Sequence, residues 1–144
     1  MKGSPNWWVK LADFGISKKW TDKTDYKTKI GTQLYMAPEI LDVIPDIDSQ
    51  TSTYTNAVDI WSLGCITFRL AAGIVPFARI ISLIQFCENR AFFPSTRLNM
   101  GDLGAALVKK FLTPHPSKRV TADQALNDPW MSASKKLETP EGWI

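Results

Sequence analysis

The chain has 144 residues, a formal net charge of +3, and 44% hydrophobic against 22% charged residues. That length supports one domain with its own core, and the composition is globular rather than disordered or fibrous. The basic residues are scattered, which gives no warrant for nucleic-acid binding, and no run approaches the ~20 apolar residues of a membrane span.

Pro5-Asn6 reads as a turn, after which Trp7, Val9 and Leu11 share one face of a short predicted strand. Ile16 to Thr32 is rich in Lys, Asp and Thr with little periodicity. A loop this long in a compact domain favours a functional role. Ala37 to Ile44 predicts a short helix, with Pro38 tolerated in its first turn, and Pro45 to Asn56 is polar and turn-like, a surface insert. Ala57 to Gly73 carries the strongest helix signal, ended by Gly73 and Pro76. It is apolar nearly all round, so burial is expected throughout. Its polar exceptions, Asp59, Ser62 and Arg69, fall within about 80° of one another.

Ala78 to Asn89 predicts a second helix. Asp102 is placed to cap a third, with Leu103, Leu107, Val108, Phe111 and Leu112 as one apolar stripe. Thr121 and Gln124 have the spacing of a capping box and open a fourth. Residues 132–144 form a tail without clear pattern. One strand, a long polar loop and helices about a hydrophobic central one predict a mainly α fold, not a βαβ arrangement. Cys65 and Cys87 lie in apolar runs without metal-ligand spacing and read as buried free thiols of a reducing compartment. The first residues contain no apolar stretch like a signal peptide. The expectation is a soluble intracellular protein, cytoplasmic or nuclear, with neither membrane nor nucleic acid among its partners.

Asp13-Phe14-Gly15 follows the predicted strand directly. Such a tripeptide is a weak signal by itself, and its order with later motifs gives it weight. It is followed by "GTQLYMAPE" (Gly31 to Glu39), then "DIWSLG" (Asp59 to Gly64), then "HPSKRVTADQAL" (His115 to Leu126). From Val9 to Met131 this succession resembles the serine/threonine protein kinases, and its late part is most similar to the calcium/calmodulin-dependent group.

The resemblance implies a kinase-like large lobe, truncated at its N-terminus, over residues 1–131, with an activation segment from Asp13 to Glu39 and a C-terminal tail over 132–144. It implies ATP, Mg²⁺ and a protein substrate, with Asp13 as the magnesium ligand and Phe14 and Gly15 as the residues that set the active state. Thr32 matches the threonine beside the catalytic aspartate, in contact with substrate and catalytic loop. Thr28 matches a common phosphorylation position, where an upstream activating kinase would act; a solvated loop threonine is the other reading. Glu39 and Arg119 match the family's buried ion pair, and Asp59 the aspartate that hydrogen-bonds the catalytic-loop backbone.

Two positions depart from the pattern. His115 stands where an aspartate is usual and reads as a surface or capping residue, and Asp128 stands where a histidine is common.

The 144 residues contain no Gly-x-Gly-x-x-Gly, no Val-Ala-x-Lys before Asp13 and no His-Arg-Asp catalytic loop. Phosphoryl transfer in this family needs all three. The chain alone is therefore expected to be inactive, a fragment of a kinase. The rival expectation is a non-catalytic, kinase-like docking module.

Overall fold

In a computed structural model of the chain, residues 33–44 and 56–135 are described. Among them the regular elements are helical: α1 (Ala57–Ala72), α2 (Ile80–Cys87), α3 (Gly101–Phe111), α4 (Ala122–Leu126) and α5 (Pro129–Lys135), with single 3-10 turns at Ser95–Arg97 and Pro116–Lys118. The mainly α class expected from sequence is the class observed. The predicted strand at Trp7 to Ala12 lies outside the described residues.

The main helix–helix contact is between α1 and α3. α1 presents Ile60, Trp61, Gly64, Cys65 and Phe68, and α3 answers with Gly104, Leu107, Val108 and Phe111. Both sets follow the i, i+3, i+4 spacing of a single helix face. Gly64 makes the close approach possible. A Cβ built there would lie 2.7 Å from the Cβ of Phe111 and 3.0 Å from Leu112. Across this seam lie two buried clusters. The larger joins Trp61, Cys65, Phe68, Phe77, Leu83, Val108 and Leu112 to Ala37, and the smaller holds Ile60, Leu107, Phe111 and Ala125. Aromatic rings run through the larger one: Trp61 stacks on Phe77 at 5.9 Å, Phe77 meets Phe86 at 4.9 Å, and Phe93 lies against both Phe86 and Phe68. Ring pairs at such distances stabilise beyond their buried area.

Four expectations are corrected. α1 is not buried all round: Leu63 and Ile66 are 46% and 47% exposed and Leu70 is 83% exposed. Its buried residues form one face, packed on α3 and the two core clusters. Asp102 does not cap α3. Met100 holds the N-cap position without a side-chain bond and Asp102 sits in the first turn, where a carboxylate still favours the positive end of the helix dipole. Leu103, placed in the apolar stripe by sequence, is exposed. Ala37 to Ile44 forms successive turns rather than a regular helix, with Ile40 and Leu41 donating to the Ala37 carbonyl and Val43 to that of Pro38. Asp42 takes the left-handed region (φ 52°), which ends that path.

The capping box of α4 forms as its sequence spacing predicts, through Thr121 Oγ1 accepting from Gln124 N and Gln124 Oε1 accepting from Thr121 N. α1 ends at Gly73 (φ 73°), whose N–H donates to Arg69 O at 2.8 Å. Among the described residues no helix is long and apolar enough to cross a membrane.

Candidate functional site

Of the residues singled out by sequence, Asp13, Phe14, Gly15, Thr28 and Thr32 lie outside the described residues. The end of the segment they begin is described, and a buried arginine is built around it. Arg119 follows the Pro116–Lys118 turn, and its side chain is wholly buried against a Glu39 side chain that is nearly so. The guanidinium has five N–H donors, and five bonds are made. Nη1 donates to Glu39 Oε1 at 2.7 Å and to Ala57 O at 2.7 Å; Nη2 donates to Glu39 Oε2 at 2.9 Å and to Pro114 O at 2.8 Å; Nε donates to Thr113 O at 2.9 Å. The carbon of the guanidinium also lies 5.1 Å from the centre of the Trp61 ring, at cation–π distance.

The two carboxylate bonds form a fork, the strong bidentate geometry. One side chain thus ties the end of the 13–39 segment to the first turn of α1 and to the chain entering α4. The arrangement is positional: every donor is occupied, so the pair has no proton to give and no vacancy for a ligand.

A second attachment lies at the polar stripe of α1. Ser62 Oγ donates to Tyr35 O at 2.9 Å, and Arg69 Nη1 donates to the Tyr35 hydroxyl. Two of the three stripe residues identified by sequence therefore hold Tyr35. The third, Asp59, is exposed and makes no hydrogen bond or ion pair among the described residues. Sequence pointed to the stripe but not to its partner. The available signal was the tyrosine of "GTQLYMAPE", a polar tip on an otherwise apolar segment.

The two departures from the family pattern have local roles. Asp128 Oδ1 accepts from Trp130 N at 3.0 Å, capping α5 ahead of Pro129, and Oδ2 accepts from Lys110 Nζ at 2.7 Å. An aspartate immediately before a proline that opens a helix is a legible cap signal. The Lys110 bond first, then the backbone bond, hold the Asp128 carboxyl below the ordinary range. His115 precedes the 3-10 turn, with Nδ1 2.8 Å from Ser117 Oγ. Cys65 is buried and Cys87 half-buried, both free. Burial pushes the Cys65 thiol up to about 12 and that of Cys87 to about 11, the latter aided by Glu39. Neither is a thiolate nucleophile near neutral pH.

Among the described residues no group of three or more His, Cys, Asp or Glu could hold a metal ion. Asp13, the expected magnesium ligand, lies outside the described residues.

Two cavities open beside the end of the segment. One, of about 510 Å³, lies between Met36, Ile40 and Asp42 on one side and Phe77 to Leu83 on the other. The second, of about 760 Å³, runs from Arg69 past Ile74 to Arg97. Leu34 lines both, so both adjoin the segment directly.

Comparison with known proteins agrees with this geometry. A model of the protein kinase domain family matches residues 1–131. The probable serine/threonine-protein kinase fhkC of Dictyostelium discoideum is 36% identical over 128 residues, covering 86% of this chain and 21% of the relative. A probable myosin light chain kinase of the same organism is 34% identical over 139 residues, covering 94% of this chain and 44% of the relative. The chain thus spans less than half the length of these curated relatives. Among solved structures, the Rad53 kinase domain crystallised with SCD2 and AMPPNP superposes with a TM-score of 0.52 at 24% identity, over 78% of this chain and 41% of that one.

Proposed function

The chain belongs to the protein kinase family, and from that premise we propose that it is the large-lobe portion of an enzyme that transfers the γ-phosphoryl group of ATP to serine or threonine hydroxyls of protein substrates. In that reaction the hydroxyl oxygen forms the new P–O bond, the bond to the ADP leaving oxygen breaks, and the hydroxyl proton passes to a base. The observation that carries the reading is the order Asp13-Phe14-Gly15, Thr32, Glu39, Asp59 and Arg119 within residues 1–131, the span the family model matches. Residues 132–144 are read as a tail. Within the reading, Asp13 holds Mg²⁺, Thr32 contacts substrate and catalytic loop, and Thr28 is the acceptor for an activating kinase.

The described residues supply position rather than chemistry. Arg119 and Glu39 fix the far end of the activation segment, while Ser62 and Arg69 fix Tyr35 three residues beyond Thr32. A segment held at that end presents its substrate-facing part reproducibly, which is how positioning lowers a barrier.

On the same reading the 144 residues transfer no phosphate by themselves, because they contain neither base, phosphate-loop glycines nor strand lysine. The test joins this chain to the upstream half of a related kinase, from its Gly-rich loop through its catalytic loop. Transfer of γ-labelled phosphate to serine or threonine peptides is expected for the fusion, and neither for the chain alone nor for the fusion carrying Asp13→Ala. A fusion that melts cooperatively yet transfers nothing would overturn the enzymatic reading and favour a non-catalytic docking module.

A further inference from the structure

The larger cavity beside Leu34 has a charge pattern that fold maintenance does not require. Arg69, Arg79 and Arg97 all line it, and among the described residues no aspartate or glutamate does. The whole chain has 17 basic and 14 acidic residues, so without these three arginines its charges balance.

These arginines are also free in a way the others are not. Arg119 is fully bonded, and Arg90 is paired with Glu88 through Nε and Nη2. The Arg79 and Arg97 side chains are exposed and make no hydrogen bond or ion pair among the described residues, while Arg69 uses one nitrogen on the Tyr35 hydroxyl. Beside them the wall is apolar: Phe92 is completely exposed, and Ile74 is 43% exposed. Unpaired guanidinium forks next to exposed apolar side chains, in a concave site, are the features that recognise carboxylates flanking an apolar anchor.

We propose that this groove docks an acidic segment of the protein substrate, its carboxylates on Arg79, Arg97 and the unused face of Arg69, and an apolar side chain against Phe92 and Ile74. The segment is peptide rather than nucleic acid, because a phosphate backbone calls for a basic path longer than this groove. Leu34 connects the site to the activation segment, so a docked substrate lies alongside the residues that the Glu39 and Tyr35 attachments hold in place. The substrate assignment rests on the kinase reading above; the groove's preference for acidic peptide does not.

The test is fluorescence anisotropy with the 144-residue chain and a short labelled peptide holding Glu and Asp around a Leu-Phe pair. Its controls are the same peptide with Gln and Asn, the same with Lys, and a single-stranded oligonucleotide of equal negative charge. The acidic peptide is expected to bind about tenfold or more tightly than the amide version, as two charge-assisted bonds warrant. Arg79→Gln combined with Arg97→Gln should remove that difference, and Arg97→Glu should improve binding of the Lys peptide. Equal binding of acidic and amide peptides would overturn the proposal, and that comparison needs no variant to fold. Tighter binding of the oligonucleotide, or an unchanged preference in the double variant, would overturn it too. Phosphoryl transfer is not part of the measurement. An active fusion without acidic preference removes the groove alone; acidic preference with a folded, inactive fusion removes the kinase reading alone.

Discussion

Two regions of this molecule use the same side chain to opposite ends. Around Arg119 every donor has an acceptor, the guanidinium is out of water, and its partners come from positions as far apart in sequence as Glu39 and Pro114. Around Arg79 and Arg97 the guanidinium groups are exposed and unbonded, on the edge of a groove. An arginine that is fully satisfied inside a protein holds structure, because moving any partner strands a buried charge. One left unpaired beside apolar surface contributes little to folding and is available for recognition. Residue type does not separate the two roles; the acceptors within reach do.

The comparison is broken most easily at Arg119. Arg119→Lys keeps the charge but replaces a five-donor fork by a single ammonium, which cannot reach both oxygens of Glu39 and three separate carbonyls. Loss of about 3–5 kcal/mol is expected, measured as the shift of the urea midpoint followed by tryptophan fluorescence. A loss below about 1 kcal/mol, the range of an exposed pair, would mean that the site is solvated.

The next effect is at the helix seam behind that site. Gly64→Ala forces a Cβ against the Cβ of Phe111 and the side chain of Leu112, atoms that cannot turn aside. A destabilisation of about 1–3 kcal/mol should outweigh the better helix propensity of alanine. Gly104→Ala is the internal control. Its nearest contacts are the Met100 side chain, at 2.8 and 2.9 Å, and Trp130 Nε1 at 3.0 Å; the unbranched Met100 side chain can adapt where a Cβ cannot, so thermal unfolding should show a smaller loss.

A smaller and pH-dependent effect is expected at Asp128, which lies between the two extremes. Its carboxylate is buried, but Lys110 is 52% exposed at the side chain, so the pair is screened by solvent. Asp128→Asn keeps a capping oxygen and removes only the charge. Because the folded carboxyl is held below its ordinary value of 3.8, the charge stabilises the fold above that pH. This contribution is lost as pH falls through the lowered folded value. Wild type should therefore exceed the Asn variant by less than about 1 kcal/mol at neutral pH. Urea midpoints taken down an acid series should converge, and a gap that widened in acid would refute the assignment.

The smallest effect sharpens the contrast from the other side. Arg79→Gln and Arg97→Gln should each change the midpoint by no more than about 0.5 kcal/mol, the scale for surface substitutions. A larger loss would show that the groove arginines hold structure after all.

Much of the positional site was legible in the sequence because its signals are local or ordered. Thr121 and Gln124 announce their capping box by spacing, and Glu39 and Arg119 are found through the order of motifs along the chain. α1 was recognised from its apolar run and closing glycine. A single element does not carry the identity of its surroundings. The Ala57 to Gly73 run is apolar on both sides, and no feature within it says which side meets α3. Burial needs a covering neighbour, and Leu70 stays 83% exposed. Asp102 had the residue type of a cap, but the chain enters α3 through Met100 and Gly101, which leaves the aspartate two residues past the cap position, in the first turn.

The sequence by itself determined the family, the helical class, the capping of α4 and the pairing of Glu39 with Arg119. Each follows from a fixed spacing or a fixed order of residue types. Only the tertiary structure decided that Ser62 and Arg69 hold Tyr35, that three carbonyls complete the Arg119 shell, and that three arginines share one groove without an acid among them. Those facts depend on distances between residues far apart in the chain. Side-chain periodicity places a residue on a face of its own helix, whereas the partner of that face is set by how the helices pack.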